Sequence, residues 1–111
     1  MESQRQSKVS RLVQKELSDI FQKQGNNLFG GGMISVTMVR VTPDLGVAKV
    51  YVSLFPPERK QELFDSVKIQ VKTVRHELGR RVKNQLRIVP ELLFFIDDSL
   101  DYARKIDELL K

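Results

Sequence analysis

The first part of the chain alternates apolar and polar residues with the period of an α-helix, which predicts a helix from Ser3 to Gln24. Ser3 followed by Gln6 has the spacing of a capping box, in which each side chain accepts a hydrogen bond from the other residue's backbone N–H. Gly25 is expected to end the helix, and residues 26–32, with their run of glycines, are expected to form a mobile loop. The apolar face of the helix consists of Val9, Leu12, Val13, Leu17, Ile20 and Phe21.

Two later segments have the period of β-strands. Met33 to Thr42 and Val47 to Phe55 are rich in β-branched residues and alternate apolar with polar positions, while Pro43 to Gly46 suits a tight connection. Together they predict a β-hairpin. In its second strand the residues expected to face the core are Ala48, Val50, Val52 and Leu54, and those expected to face away are Val47, Lys49, Tyr51 and Ser53.

A second helical pattern runs from Glu58 to Asn84, after Pro56 and Pro57. Unbroken, this helix would be roughly 40 Å long at 1.5 Å per residue, which is too long for a small globular domain. A kink or break is therefore expected at the β-branched stretch from Ile69 to Thr73, which forms helix least well. The apolar stripe of this pattern is Leu63, Phe64, Val67, Val71, Val74, Leu78 and Val82.

The end of the chain predicts one more strand and one more helix. Pro90 closes the second helical region, Glu91 to Ile96 predicts a third strand, and Asp98 or Ser99 is placed to cap a last helix. The apolar side of that helix would be Leu100, Ala103, Ile106, Leu109 and Leu110. The order α–β–β–α–kink–α–β plus a C-terminal helix predicts an α+β fold, in which helices cover one face of a three-stranded sheet. Residues 1–111 are expected to form a single domain.

Composition narrows the classes of function. With no cysteine and with His76 as the one histidine, disulfides, thiolate metal sites and multi-histidine metal sites within one chain are excluded, so no metal and no other cofactor is expected. No apolar run approaches the roughly 18 residues that span a bilayer. The N-terminus lacks the apolar core of a signal peptide, so a cytoplasmic protein without a membrane partner is expected. The net charge of +5 favours an anionic partner.

The positive charge is concentrated in one segment, since residues 68–87 contain seven Lys and Arg against Glu77 alone. On a helical wheel these cations lie beside the apolar stripe with no acid among them, and Glu77 falls on the far side. Like charges four residues apart, such as Lys68 and Lys72, repel on a helix, so the stripe is expected to bind phosphates, with an ordinary solvated face as the alternative. The candidate RNA-binding residues are Lys68, Lys72, Arg75, His76, Arg80, Arg81, Lys83 and Arg87, together with Lys8, Arg11 and Lys15 of the first helix.

Few residues outside this stripe are candidates for binding a base or for catalysing a reaction. Tyr51, on the outer face of the hairpin, either stacks a nucleic-acid base or is an ordinary strand residue. Asp97 and Asp98 are adjacent carboxylates, but neighbours in a strand face opposite sides and Asp98 suits a helix cap. No Ser/His/Asp arrangement or glycine-rich nucleotide motif is present. No catalytic residue is therefore assigned, and the chain is not expected to be an enzyme.

Three stretches of the sequence resemble one known family. SRLVQKELSDIFQK in the first helix, ISVTMVRVTPDLGVAKVYVSLF over the hairpin and LRIVPELLFFIDDSLDYARKIDELL at the end together resemble ribosome-binding factor A. The segments from Asp44 to Ser53 and from Leu86 to Leu92 are the most specific, and the resemblance covers nearly the whole chain. It implies a KH-like domain of the bacterial type, type II, whose element order matches the one predicted above.

The resemblance also implies a function. Members of this family are non-enzymatic factors that bind the 16S rRNA of the immature small (30S) ribosomal subunit, assist its late assembly and rRNA processing, and matter most in the cold. The implied protein is cytoplasmic and monomeric off the ribosome, with no small-molecule substrate. In place of the G-x-x-G loop of other KH domains, the family has a helix–kink–helix with an Ala-x-Gly interruption. Gln70, Val71 and Lys72 occupy about that place here, without a glycine, and Gly79 is a second candidate for the bend.

Two alternatives to this function remain open from the sequence. One is a generic KH-like module that binds single-stranded RNA or DNA and has no part in ribosome assembly. The other is a protein–protein adaptor whose basic stripe contacts an acidic partner. Tight binding to isolated oligonucleotides would favour the first, and a pull-down that is insensitive to ribonuclease would favour the second.

Overall fold

The computed structural model describes residues 3–28 and 30–97 of the chain. Its elements in chain order are α1 (Gln4–Leu28), β1 (Met33–Val41), β2 (Val47–Phe55), a 3-10 turn (Pro57–Arg59), α2 (Lys60–Ile69), α3 (Val71–Val82) and β3 (Glu91–Ile96). This order confirms the predicted α–β–β–α–kink–α–β arrangement and the α+β class. The predicted C-terminal helix lies outside the described residues.

The three strands form one sheet in the order β1–β2–β3. Strands β1 and β2 are antiparallel, with Val39 opposite Val50, whereas β2 and β3 are parallel, with Val50 opposite Phe94. Parallel neighbours need a crossover connection, which α2 and α3 provide. The predicted facing of β2 is confirmed, because its four core positions are buried: Ala48, Val50, Val52 and Leu54.

One hydrophobic core joins the three helices to one face of the sheet. Helix α1 contributes residues such as Val13 and Leu17, and the α2–α3 pair contributes residues such as Leu63 and Leu78, all of them fully buried against the strands. Burying an aliphatic side chain of this size stabilises the fold by roughly 1.5–3 kcal/mol. The sheet therefore holds the helices by their apolar stripes and leaves their opposite sides in solvent.

The start of α1 is fixed by the predicted capping box. The Ser3 N–H donates to Gln6 Oε1 at 2.9 Å, and the Gln6 N–H donates to Ser3 Oγ at 3.1 Å. Gln6 is itself buried, and its Nε2 donates to the Val41 carbonyl at 2.9 Å. The cap therefore satisfies the first backbone donors of the helix and also ties the helix to the end of β1.

The predicted end of α1 at Gly25 is wrong, because the helix continues to Leu28. A glycine within a helix costs only about 1 kcal/mol relative to alanine, so it does not end a helix by itself. The chain turns at Gly30 and Gly31, whose φ angles of 62° and 82° lie in the left-handed region that glycine adopts without a steric penalty. The predicted connecting loop is correspondingly shorter.

The hairpin turn is stabilised by Asp44. Its Oδ1 accepts hydrogen bonds from Thr42 Oγ1 at 2.6 Å and from the Gly46 N–H at 3.0 Å, and these bonds hold the pKa of the Asp44 carboxyl below its ordinary value. The Leu45 N–H donates to the Thr42 carbonyl at 2.8 Å, and Leu45 has a φ of 62°. The hydrogen bonds around Asp44 thus hold a non-glycine residue in the left-handed region.

Strand β1 departs from strict alternation. Its register with β2 shifts between Val36, which is opposite Val52, and Met38, which is opposite Tyr51, so Thr37 is the extra residue of a β-bulge. Thr37 and Met38 are therefore both exposed, whereas Val36 and Val39 are buried. The Thr37 hydroxyl donates to Asp97 Oδ2 at 2.6 Å and lies 3.2 Å from the Tyr51 carbonyl oxygen, which ties the bulge to the end of β3.

The second helical region is interrupted at Gln70, inside the stretch predicted for a break. Gln70 has φ −91° and ψ 9°, it ends α2 by donating its N–H to the Ser66 carbonyl, and α3 begins at the next residue. Gly79, the second candidate for the bend, lies within α3. The interruption lets both helices pack on the sheet, with Val67 and Val74 buried on either side of it.

Candidate nucleic-acid interface

Helix α3 and the residue that follows it present four of the predicted basic residues on the side away from the sheet. Val74, Leu78 and Val82 point into the core and are at most 1% exposed. Since residues on the other side of the helix cannot reach the core, they lie in solvent. The exposed basic residues on this side are Lys72, His76, Arg80 and Lys83.

A groove of about 730 Å³ lies between α3 and the segment that leads from α3 to β3. Its lining residues are Lys72, Arg75, His76, Gly79, Arg80, Lys83 and Val89. At Gly79 an added Cβ would lie 3.3 Å from Val89 Cγ2, so the glycine allows the two segments to approach closely at the floor of the groove. No acidic residue of the described part of the chain lines the groove, so the walls that this part forms are cationic and the floor is apolar.

Arg75 connects α3, on one side of this groove, to the segment before β3 on the other side. Its Nε donates to the Pro90 carbonyl at 3.1 Å and its Nη2 donates to the Val89 carbonyl at 2.7 Å. These bonds use two of the five N–H donors of the guanidinium and leave its full positive charge in place. Arg75 therefore positions the residues before β3, and it remains exposed in the lining of the groove.

The prediction that the stripe has no acidic neighbour is wrong for Arg80 and Arg81. Glu77 Oε2 accepts from Arg80 Nη1 at 3.1 Å, and Glu77 Oε1 accepts from Arg81 Nε at 3.3 Å. Although Glu77 falls on the far side of the wheel, residues three and four positions apart are neighbours on a helix, and long side chains bridge that gap. Arg80 remains 70% exposed and lines the groove, so its ion pair is a surface one.

Arg81 has a different environment from the other predicted cations. Its side chain is 23% exposed, it does not line the groove, and its Nη1 donates to Asp19 Oδ2 of α1 at 2.5 Å. Asp19 also forms an ion pair with Lys23 at 3.0 Å. The hydrogen bond from Arg81, followed by that from Lys23, lowers the pKa of the Asp19 carboxyl, and Asp19 raises the pKa of Arg81. Arg81 thus connects α3 to α1.

Lys68 and Lys72 flank the interruption at Gln70. Lys68 is exposed and its Nζ lies 5.6 Å from the centre of the Phe64 ring, within the range of a cation–π contact. Lys72 is exposed on the first turn of α3 and lines the groove. In an unbroken helix Lys68 and Lys72 would lie on one straight stripe. Because the helix breaks between them, they do not.

The predicted cations of α1 lie on the side of that helix that faces away from the sheet. Lys8, Arg11 and Lys15 are exposed, and within residues 3–28 and 30–97 none of them forms an ion pair. They lie opposite the apolar stripe that packs on the sheet, and α1 contacts α3 through Asp19 and Arg81. The outward cations of the two helices therefore belong to one face of the helical layer, which we call the helical basic face.

Arg87 lies apart from this groove. It lines a smaller depression of about 200 Å³ together with Arg5 of α1 and the hairpin-turn residues Asp44 and Leu45. Of the predicted RNA-binding residues, the structure thus brings Lys72, Arg75, His76, Arg80 and Lys83 together in one groove. It places Lys68 at the helix break, Lys8, Arg11 and Lys15 on α1, Arg81 in an ion pair with Asp19, and Arg87 in a separate depression.

The described part of the chain contains neither a metal-binding cluster nor a membrane-spanning helix. Within it, no group of three or more His, Cys, Asp or Glu side chains is arranged to bind a metal ion. None of the helices described there combines the length and the apolar character that crossing a membrane requires.

Comparisons with known proteins point to one family. Residues 5–110 match the family described as ribosome-binding factor A. The chain is 47% identical over 110 residues to a ribosome-binding factor A from Cytophaga hutchinsonii, covering 99% of this chain and 83% of that protein. It is 49% identical over 111 residues to one from Flavobacterium psychrophilum, covering 99% and 85%.

Solved structures share the fold. The crystal structure of ribosome-binding factor A from Thermus thermophilus superimposes with a TM-score of 0.68 at 22% identity, covering 82% of this chain and 94% of that one. A homology model of the Thermus thermophilus factor, fitted into a cryo-EM map of a complex with the 30S subunit, gives a TM-score of 0.57 at 22% identity, covering 88% and 97%.

Proposed function

The chain belongs to the ribosome-binding factor A family, and from this premise we propose that it binds the ribosomal RNA of the small ribosomal subunit through the groove on α3. The observation that carries the proposal is the groove itself, where five cationic or titratable side chains converge without an acidic one among the lining residues. Such a surface attracts the phosphate backbone of RNA. The protein acts in the cytoplasm as a binding factor, without catalysis.

The shape of the groove suits a nucleic-acid backbone. It is an open groove of about 730 Å³ along a helix, and its walls carry long flexible lysines next to arginines. Phosphate contacts fix the position and register of a protein on RNA but carry no sequence information. The selectivity for one RNA arrangement would then come from shape, because contacts on the helical basic face extend to Lys8, Arg11 and Lys15 of α1.

The relatives support the same partner. Curated relatives that span the same residues are named for ribosome binding, and one structural neighbour was fitted into a map of a complex with the small subunit. We extend the proposal to a role in late assembly and in processing of the 16S rRNA. A protein that holds an immature RNA arrangement by its phosphates is placed to influence both steps while it is bound.

Sedimentation of the tagged full-length chain tests this function. The protein should co-sediment with immature small subunits, less with mature ribosomes, and should return to the soluble fraction after ribonuclease treatment or at high salt. If it stays with its partner after complete ribonuclease treatment, the protein–protein adaptor replaces this proposal. If it binds isolated single-stranded oligonucleotides as tightly as it binds immature subunits, the generic RNA-binding module does.

A further inference from the structure

The sheet face opposite the helices carries a pair of stacked aromatic rings. Tyr51 of β2 and Phe95 of β3 are directly paired in the parallel ladder, their ring centroids lie 5.3 Å apart, and their planes are inclined by only 25°. Phe95 is 40% exposed although it is a large apolar residue. No helix among the described elements covers these rings, so the pair forms part of an open sheet surface.

A row of cations lies beside this pair. Arg40, Lys49 and Leu93 stand next to one another across the three strands, two residues along from Met38, Tyr51 and Phe95. Rows two residues apart on a sheet are separated by about 7 Å. Arg40 and Lys49 are both exposed, and within residues 3–28 and 30–97 neither forms an ion pair or a side-chain hydrogen bond.

Acidic groups limit this surface at its two ends. Glu91 is exposed in the row beyond Lys49, opposite Val47. At the other end, beyond the aromatic row, Asp97 accepts the hydrogen bond of the bulge residue Thr37. The uncompensated positive charge is therefore confined to the row of Arg40 and Lys49, directly beside the rings.

We propose that this open sheet face is a second nucleic-acid site, at which a base of single-stranded RNA stacks on the Tyr51–Phe95 pair and the adjacent phosphates contact Arg40 and Lys49. Unstacked bases bind exposed aromatic rings, and each such stack strengthens binding whatever the base. The 7 Å between the rows matches the reach from a base to the backbone of the same or the next nucleotide. This site extends the proposed function, because the groove on α3 lies on the other side of the sheet.

The β-bulge at Thr37 determines which residues of β1 face this surface. Because Thr37 is the extra residue, Met38 faces outward opposite Tyr51, and the alternation of β1 then resumes with Arg40 outward opposite Lys49. With strict alternation from Val36, Arg40 would face the core instead. The bulge thus places the cation of β1 next to the aromatic row and keeps Val39 and Val41 in the core.

Intrinsic fluorescence tests the site directly. The chain has no tryptophan and its tyrosines are Tyr51 and Tyr102, so in a full-length Tyr102→Phe protein the signal reports on Tyr51 alone. We expect a short single-stranded RNA of mixed sequence to quench this fluorescence, and the same RNA annealed to its complement to quench it much less. If single-stranded RNA binds without changing the fluorescence of Tyr51, the proposed stack does not exist.

Matched variants separate stacking from general loss of structure. In the same background, Phe95→Leu keeps an apolar side chain and should weaken binding of the single-stranded RNA by about fivefold or more. Phe55→Leu removes an aromatic residue that is 57% exposed at the far end of β2 and should leave affinity unchanged. Equal affinities of the two variants would overturn the proposal. If Phe95→Leu unfolds, the quenching of Tyr51 fluorescence in the folded Tyr102→Phe protein still tests whether a base stacks there.

Two pairs of substitutions test the two proposed RNA sites independently of each other. Lys72→Gln combined with Lys83→Gln removes cations of the groove and should leave the quenching of Tyr51 by saturating RNA intact. Arg40→Gln combined with Lys49→Gln should reduce the salt slope of single-stranded RNA binding by about 1, at ~0.7 per phosphate. Unchanged salt dependence would contradict a role for Arg40 and Lys49, whereas binding to small subunits tests the groove separately.

Discussion

Arg81 of α3 donates a hydrogen bond of 2.5 Å from Nη1 to Oδ2 of Asp19 on α1, across 62 residues of sequence. This bond joins the two helices that carry the helical basic face. It also explains why Arg81 is mostly covered, whereas Lys72 of the same helix and Lys83, directly after it, are exposed. One arginine of the basic segment thus has a structural role while its neighbours remain available to a ligand.

The Asp19–Arg81 pair should make stability depend on pH in a defined direction. The pKa of Asp19 is lowered in the folded protein, first by Arg81 and then by Lys23. Its contribution is therefore fully present above the unfolded pKa and is lost as pH falls through the folded pKa. Asp19→Asn should lower the melting temperature at neutral pH, and its difference from the parent should shrink below about pH 4.

The control for this prediction is Asp65→Asn. Asp65 is an exposed carboxylate of α2 whose described partner is the Gln61 side-chain amide, at 2.9 Å. Its replacement should change the melting temperature little at any pH. Thermal melts followed by circular dichroism from neutral pH to acid decide the question. A constant difference between Asp19→Asn and the parent over that range would contradict the assignment.

Burial of β2 leads to a second prediction. Val52 is fully buried and stands between Val36 and Ile96 in the sheet. Val52→Asp would place a carboxylate in the core without a partner and should destabilise the fold by several kcal/mol, a large part of the total stability of a small domain. Ser53→Asp, one residue away on the outer face, should change stability far less. Urea denaturation of both variants measures the difference, and equal losses would show that the facing of β2 is wrong.

A close contact at Gly32 yields a third prediction. A Cβ added there would lie 2.2 Å from Leu63 Cδ2, and Leu63 is fully buried in the core. Gly32→Ala must therefore displace a core side chain and should cost about 1–3 kcal/mol, as other overpacked cores do. Combining it with Leu63→Ala should relieve the clash, so the two losses should not add. Additive losses in a double-mutant cycle by urea denaturation would contradict this contact.

Salt dependence gives a fourth prediction. Four cations of the helical basic face line the groove and are available to phosphates, namely Lys72, Arg75, Arg80 and Lys83, because the bonds of Arg75 to two carbonyls leave its charge in place, whereas Arg81 is held by Asp19. At ~0.7 per phosphate for single strands, the slope of log K against log salt should be about −3. Titrations of immature small subunits over a range of salt concentrations measure it. A slope shallower than about −1 would exclude the face as the main contact.

Much of the fold follows from the sequence because the apolar residues keep one period within every described element except β1. The buried residues of β2 alternate strictly, and the capping box at Ser3 and Gln6 involves residues three apart. Such features depend on near neighbours alone. The break at Gln70 was predictable for a similar reason, since a helix from Glu58 to Asn84 would be too long for the sheet that it covers.

The features that were missed depend on contacts between distant segments or on a local change of period. Nothing near Arg81 in the sequence indicates Asp19 as its partner, and nothing near Arg75 indicates the carbonyls of Val89 and Pro90. The bulge did leave a signal, because the buried Val36 and Val39 are three residues apart rather than two. That spacing breaks the period of a strand and predicts an inserted residue.

The affinity of a groove variant for immature small ribosomal subunits tests the central claim most directly. Lys72→Gln with Lys83→Gln removes two exposed groove cations, and Arg5→Gln with Lys23→Gln removes two exposed cations of α1 outside the groove. The groove variant should bind at least about tenfold more weakly than the parent at moderate salt, with an unchanged melting temperature, whereas the α1 variant should stay within about twofold. Equal losses of affinity in the two variants would contradict an RNA-binding groove on α3, because they would show that only the overall charge of the protein matters.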